Sequence, residues 1–436
     1  MSRFIFWSFT VALAGFLFGF DIVVTSGVDK ILQQLWATSD SFHGFVVIGG
    51  ALWGTVLGAM IGGWPTNAWG RKKTLIVIGV LYFVSAAGAG LAADPWSFAL
   101  FRFIGGLGIG ASTIAAPAYI SEIAPARSRG RLVATYQLSI VLGIMASFLS
   151  NYLLSESGEN AWRWMVGVGA FPALAYLGMI FLVPESPRWL LLKGRREEAA
   201  HVLKSIDPQM NMEEFARANP PASAKAGETI FGRKYSKPLL LAFFVAFFNQ
   251  LSGINAFLYY SPRIFEVAGL GSSTAFLSSV GVGIVNVVFT VVGMALIDRL
   301  GRKQLMYIGS IGYIVSLTMV AFAFILGWQG MVVPLCFFLF IASHAIGQGT
   351  VIWVFIAEVF PNHLRASGQA FGSSVHWVLA ALIPSVVPAT FTAFGPGVVF
   401  AFFAAMMVCQ LAWVAIAMPE TKGVSLEEMG GQLDGK

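Results

Sequence analysis

Apolar residues come along this chain in runs of about 20, the length that crosses a hydrocarbon core, separated by short polar stretches. Twelve runs can be drawn: 4–28, 44–64, 74–92, 97–120, 132–154 and 164–183, then, after a longer polar gap, 238–261, 273–297, 304–326, 331–357, 368–391 and 396–418. The pattern predicts an all-α integral membrane protein with twelve transmembrane helices in two pseudo-symmetric six-helix bundles. The expected organisation is an N-terminal bundle over 1–183, a cytoplasmic linker with short helices over 184–237, a C-terminal bundle over 238–418 and a cytoplasmic tail over 419–436. The first run is too long for a signal peptide, contains Asp21 and lacks a small-residue cleavage site, so it reads as a retained helix. In the linker, Ala199, Val202, Leu203 and Ile206 share one side of an amphipathic helix near 195–206, next to the mixed charges of Arg195, Arg196, Glu197 and Glu198, and Pro220 and Pro221 follow.

Composition agrees with lipid as the solvent. Of 436 residues 57% are hydrophobic and 11% charged, against about 25% charged in a soluble domain, which leaves too few charges to coat a water-facing surface and excludes a soluble enzyme. The formal charge of +6 is unevenly placed. Arg71, Lys72 and Lys73, then Arg127, Arg129 and Arg131, then Arg299, Arg302 and Lys303, then Arg365 lie on one side, with Arg3, Lys422 and Lys436 near the termini. The opposite loops hold only Lys30, Arg163 and Arg263. The positive-inside rule then makes both termini cytoplasmic in a multi-pass protein of the plasma (inner) membrane, with the basic loops facing anionic lipid and no basic face left for nucleic acid. Cys336 and Cys409 sit in apolar runs far apart, so neither a disulfide nor a thiolate metal site is indicated. No metal, cofactor or hydrolytic constellation is visible, and Gly105 to Gly110 lies in an apolar run without the strand or lysine of a nucleotide loop. Gly50, Gly54, Gly58 and Gly62, at every fourth position, read as a helix-packing seam.

The halves repeat. Gly70-Arg71-Lys72 returns as Gly301-Arg302-Lys303, displaced by 231; Glu122 with Arg129 returns as Glu358 with Arg365, displaced by 236; Pro184-Glu185-Ser186 returns as Pro419-Glu420-Thr421, displaced by 235. Duplicated six-helix halves are an architecture of secondary transporters. Asp298-Arg299-Leu300-Gly301-Arg302-Lys303, Glu122 to Gly130, Pro184-Glu185-Ser186-Pro187-Arg188, Gln250-Leu251-Ser252-Gly253-Ile254-Asn255 and Pro419-Glu420-Thr421-Lys422-Gly423 together resemble the signatures of the sugar porters of the major facilitator superfamily. The resemblance covers nearly the whole chain. It implies that the carboxylates and guanidinium groups at these helix ends (Glu122, Arg129, Glu185, Arg188, Asp298, Arg299, Glu358, Arg365) form a cytoplasmic latch that breaks when the inside opens. Ala68 replaces the usual arginine before the first Gly-Arg unit, which predicts a weaker latch in the first half.

Apart from histidines, two ionisable residues lie well inside the runs, Asp21 and Arg102. A charge at a helix centre costs about 2.5 to 3.5 kcal/mol on insertion scales unless it finds a partner. Asp21 is seven residues from the end of the first run and Arg102 five from the start of the fourth, which runs the other way; both then lie roughly 8 to 10 Å below the same boundary and can meet. An aspartate alternating between Arg⁺ and an apolar site would load and release a proton. The resemblance implies the same role, since proton-coupled sugar porters carry Asp in the Gly19-Phe20-Asp21 context where passive animal carriers commonly have Asn. Some bacterial members carry a further acid on the sixth helix; here Gly169 stands there, so coupling would rest on Asp21.

A sugar needs neutral donors and acceptors and an apolar face. Gln137, Asn249, Gln250, Asn255 and Asn286 offer amides inside apolar runs. On an unbroken helix Gln250 and Asn255 would point about 140° apart, but Ser252-Gly253 permits local unwinding, so the seventh helix is expected to be discontinuous. The resemblance implies that Gln137, Gln250, Asn255 and Asn286 bind the sugar, that Trp353 is a ring platform and that Tyr259 and Tyr260 close the outer side; Asn249 replaces a usual Gln. His344 and His376 resemble fructose-carrier positions, while Trp353 is the glucose-type residue. The expected function is proton-coupled symport of a monosaccharide, a hexose such as glucose or fructose, by a monomer working through alternating access. The alternatives are a passive hexose facilitator and a non-transporting sugar sensor.

Overall fold

The computed structural model describes residues 3–125, 128–206, 212–218, 229–361, 364–424 and 429. Arg127, Pro220, Pro221 and Lys436, named above, lie outside the described residues. Among those described, twelve helices are long and apolar enough to cross a membrane: Arg3–Gly27, Asp40–Ala68, Arg71–Leu91, Pro95–Ile123, Arg129–Leu154, Ala161–Ile180, Arg233–Val267, Ser272–Leu300, Arg302–Leu326, Val332–Val359, Arg365–Phe394 and Pro396–Ile416, here spans 1 to 12. Their outward sides stay apolar, as Leu91 (81% exposed) and Ile416 (87%) illustrate; in water such surfaces would aggregate, in lipid they are at home.

Spans 2, 7 and 10 carry breaks beside the short one in span 6 between Gly167 and Ala170. Span 7 stops at Leu251 and resumes at Ile254, with Gly253 at φ +79°, the left-handed conformation that glycine adopts without penalty. The discontinuity expected at Ser252-Gly253 is therefore present. Span 10 is interrupted at Gly347 (φ −86°, ψ −101°), between Val332–Ile346 and Gln348–Val359, and span 2 opens with a π-helical stretch, His43–Ile48. Neither break carries a proline, so the signal that marks most helix interruptions is missing.

The chain divides into two compact units, one of Met1–Val24, Gly50–Ser150 and Glu156–Ala224, the other of Thr25–Gly49, Asn151–Ser155 and Lys225–Lys436. The division departs from the sequence-drawn bundles: the segment joining spans 1 and 2 groups with the second unit, and much of the linker with the first. In the first unit span 1 packs on spans 3, 4 and 6. The glycine row of span 2 meets the backbone of span 4, since a Cβ on Gly50 would lie 3.0 Å from the Ala99 carbonyl and one on Gly62 would lie 2.8 Å from the Ala111 Cα. Gly106 and Gly110, from the run that imitates a nucleotide loop, face the same seam from the helix of span 4. The amphipathic helix forms at Arg196–Ile206 and buries Ala199, Val202 and Leu203. In the second unit span 9 packs on spans 10 and 12, and span 7 on span 11; Thr25–Gly27 lies against span 7, and the start of span 2, including His43–Ile48, against span 11.

Candidate functional site

Asp21 on span 1 and Arg102 on span 4 meet as their matched depths predict. The Arg102 guanidinium donates to Asp21 Oδ1 and, at 2.8 Å, to the Asp21 carbonyl. Arg102 is 1% exposed and Asp21 7%. Asp21 Oδ2, Arg102 Nε and the Ser85 hydroxyl on span 3 are buried with no hydrogen-bond partner among the described residues. A Cβ on Gly105 would touch Ser85 Oγ and lie 3.7 Å from Asp21 Oδ2, so the missing side chain leaves the free oxygen its space. Gly169 lies close by: a Cβ there would sit 3.3 Å from the Phe20 ring and 3.4 Å from Ala86 Cβ. The room a second carboxylate would need is thus taken up by packing.

Three of the four candidate sugar amides of the second unit, Asn249, Gln250 and Asn255, form one connected group. Gln250 Nε2 donates to Asn249 Oδ1 (2.9 Å) and faces the His376 ring (3.2 Å to Nδ1), and Asn255 Nδ2 donates to Gln250 Oε1 (2.7 Å). The break at Gly253 is what allows Gln250 and Asn255 to face each other. Trp353 packs on His376 with ring centroids 5.0 Å apart. Tyr260 donates to the Pro384 carbonyl of span 11 (2.9 Å), and both Tyr259 and Tyr260 are 1% exposed. Asn286 is buried and accepts from Thr290 (3.4 Å), with no bond to the amide group among the described residues. Gln137 is half-buried on span 5, in the first unit. His344 faces the Tyr313 hydroxyl (2.5 Å), tying span 10 to span 9 instead of joining His376 at the amides.

The repeated motifs fold alike in the two units. Gly70 (φ +100°) and Gly301 (φ +90°) precede spans 3 and 9, and a Cβ on either would collide with Glu185 or Glu420. Glu185 accepts from the Arg71 and Lys72 amides (2.9 and 3.1 Å), as Glu420 does from those of Arg302 and Lys303 (2.9 and 3.0 Å), so each carboxylate caps a helix N-terminus. Burial raises the Glu185 pKa, while the N–H groups of Ser186, Lys72 and Arg71 and the Arg71 charge oppose that. The partner of Glu122 is Arg71 (2.8 Å) with Ser186 (2.5 Å), and that of Glu358 is Arg302 (2.7 Å) with Thr421 (2.7 Å).

Arg129 and Arg365, which share motifs with these acids, do not bond to them among the described residues. Arg129 is exposed, and Arg365 Nε is buried without a partner there. Asn67 and Asp298 take matching places beside Arg71 (3.3 Å) and Arg302 (3.4 Å). Arg299, the counterpart of Ala68, is exposed, so Ala68 leaves the first cluster's core unchanged; the Glu122 side chain is in fact less exposed (6%) than that of Glu358 (26%). Arg188 is half-buried on the short helix Pro187–Leu192.

Sequence reasoning passed over two further groups. Asp29, between spans 1 and 2, and His43, at the start of span 2, are both fully buried; His43 Nε2 meets Asp29 Oδ1 at 2.7 Å, and Arg263 of span 7 donates to Asp29 Oδ2 (3.2 Å) and Gln33 (2.7 Å). Lys30 pairs with Glu266 at 2.6 Å. Gln348 and Gln410, both 0% exposed, join the amides. A polar side chain inside an apolar run, the signal already used for Gln137, would have found Gln348 and Gln410. Among the described residues no group of His, Cys, Asp and Glu could hold a metal ion.

A family model described as "Sugar (and other) transporter" matches residues 7–432. The chain belongs to that family. It is 34% identical over 434 residues to the arabinose-proton symporter of Bacillus subtilis, covering 97% of this chain and 93% of that protein. To the glucose transporter GlcP of Staphylococcus epidermidis it is 34% identical over 432 residues, covering 97% and 95%. The structure of the xylose transporter XylE from E. coli in an inward open conformation superimposes with a TM-score of 0.87 at 29% identity, over 98% of each chain. The protein is therefore a multi-pass membrane transporter of the major facilitator fold and not an enzyme.

Proposed function

We propose that this transporter moves a monosaccharide together with a proton by alternating access, with its basic loops and both termini in the cytoplasm. The observation that carries the reading is the half-satisfied carboxylate of Asp21, one oxygen on Arg102 and the other buried without a partner. A free lone pair in a low-dielectric site is where a proton binds at least cost, and binding it neutralises the charge that holds Arg102. Arg102 then has only the Asp21 carbonyl from that residue, and the contact between spans 1 and 4 changes. That makes proton loading a conformational event. The relatives named for proton symport of arabinose and xylose support coupling.

The sugar is held by Gln250, Asn255, Asn249 and Asn286, with Trp353 and His376 supplying the apolar face. We read the substrate as a hexose, on Trp353 and His376 together. A pentose is the second reading, favoured by relatives named for arabinose and xylose. Purified protein in vesicles, supplied with labelled glucose, fructose, xylose and arabinose under an imposed pH gradient, tests both. Accumulation of a hexose when the outside is acidified is expected, accumulation of pentoses alone would transfer the assignment to the second reading, and equilibration without accumulation would make the protein a passive facilitator.

A further inference from the structure

The amides proposed to bind sugar are one end of a longer buried chain in the second unit. Asn255 donates to Gln250, Gln250 to Asn249, and Asn249 Nδ2 to Gln348 Oε1 at 3.4 Å. Gln348 Nε2 donates in turn to Gln410 Oε1 (2.8 Å), Gln410 Nε2 to Ser310 Oγ (2.7 Å), and the Ser310 hydroxyl to the Met306 carbonyl (2.7 Å). The chain starts at the break of span 7, passes the break of span 10 and ends between spans 12 and 9. Asn249, Gln250, Gln348, Gln410 and Ser310 are each at most 2% exposed.

An amide can be turned over, exchanging its donor and acceptor ends, and a row of amides can in principle run either way. This row cannot, because Gln348 Nε2 also faces the Val245 main-chain carbonyl at 3.3 Å. A carbonyl only accepts. Turning Gln348 over would set two acceptors against each other in a buried site, the costly arrangement. Gln348 must therefore point its oxygen at Asn249, which fixes Asn249, then Gln250, then Asn255. Gln410, anchored on Ser310, supports the same direction from behind. One Asn255 N–H is engaged with Gln250, which leaves the Asn255 oxygen to accept a hydrogen bond from a ligand hydroxyl.

We propose that Gln348 and Gln410 are positioning residues that set the donor and acceptor polarity of the sugar-binding amides, and with it the choice among monosaccharides. The proposal rests on the reading of Asn249, Gln250 and Asn255 as sugar ligands. A directional site distinguishes a hydroxyl that donates from a group of similar size that only accepts, and replacing one sugar hydroxyl at a time by fluorine makes that distinction. In wild-type vesicles, competition against labelled hexose is expected to weaken about tenfold at one or more ring positions on fluorine substitution, the size of one hydrogen bond with an unpaired partner.

In Gln348→Leu the amides lose their anchor, and that discrimination is expected to fall below about threefold while the KM for the parent hexose rises more than the maximal rate falls. Gln410→Leu leaves the Val245 contact in place and touches no proposed ligand; it should give a smaller relaxation in the same direction, and it carries the test if Gln348→Leu does not fold. Restoring the amide as Gln410→Asn should recover part of the discrimination. Unchanged fluorosugar ratios in folded variants, with only thermal stability reduced, would overturn the proposal. A wild type that no monosaccharide competes with would remove the parent reading, and this inference with it.

Discussion

Asp21 and Asp29 are both buried, both near the first span, and both face an arginine, yet their surroundings differ in one respect. Asp29 has a partner for each oxygen, His43 on one side and Arg263 on the other. Asp21 has Arg102 on one oxygen and nothing on the other among the described residues. A fully bonded carboxylate is fixed in place, and taking a proton would cost it a partner. A half-bonded one has somewhere to put a proton. Burial of an acid therefore does not by itself point to a proton carrier; the role proposed for Asp21 rests on the unfilled lone pair. In the proposed function Asp29 is a structural clasp for the segment Thr25–Gly49 and Asp21 the working group.

Substitutions can break this contrast. Asp29→Ala should have the largest effect on stability, leaving His43 and the partly exposed Arg263 without their carboxylate, at about 3 kcal/mol. It is measured as a lowered unfolding temperature in detergent, and a shift no larger than that of a surface variant would mean the clasp is not structural. Gly105→Ala should come next, costing about 1–3 kcal/mol as its methyl group crowds Ser85 and the free oxygen of Asp21. Its signature is proton-driven accumulation falling by more than exchange; equal losses would place the crowding elsewhere. The smallest effect is expected for Ser85→Ala, which deletes a hydroxyl that bonds to nothing described and should be neutral or stabilising by up to about 1 kcal/mol. A clear loss of stability would show that Ser85 has a partner and that the pocket around Asp21 is less bare than described.

How much of this could be read from the sequence depended on whether the signal was local. The spans follow from run length, because lipid leaves a helix little alternative. The pairing of Asp21 with Arg102 followed from depth, since two lone charges on antiparallel helices at one level have few other partners. The break of span 7 followed from Ser252-Gly253. The motif acids did not yield their partners: Glu122 and Arg129 share a motif, but Arg71 reaches Glu122 from the next span, and sequence spacing carries no information about that. The path from Asn249 to Ser310 stayed hidden for the same reason, its members coming from spans 7, 10, 12 and 9, and the Gly347 break because no proline marks it. Thr25–Gly49 reads in the sequence as part of a loop and a helix of the first bundle, because connectivity says nothing of which surface a segment packs against.

The most direct measurement is made on Asp21→Asn in vesicles, comparing accumulation of labelled hexose under an imposed pH gradient with exchange of the same sugar at equal concentrations on both sides. Accumulation should vanish while exchange persists, since the amide keeps the shape of the carboxyl but can no longer take up and release the proton. If the variant still concentrates sugar as the wild type does, Asp21 is not the proton carrier.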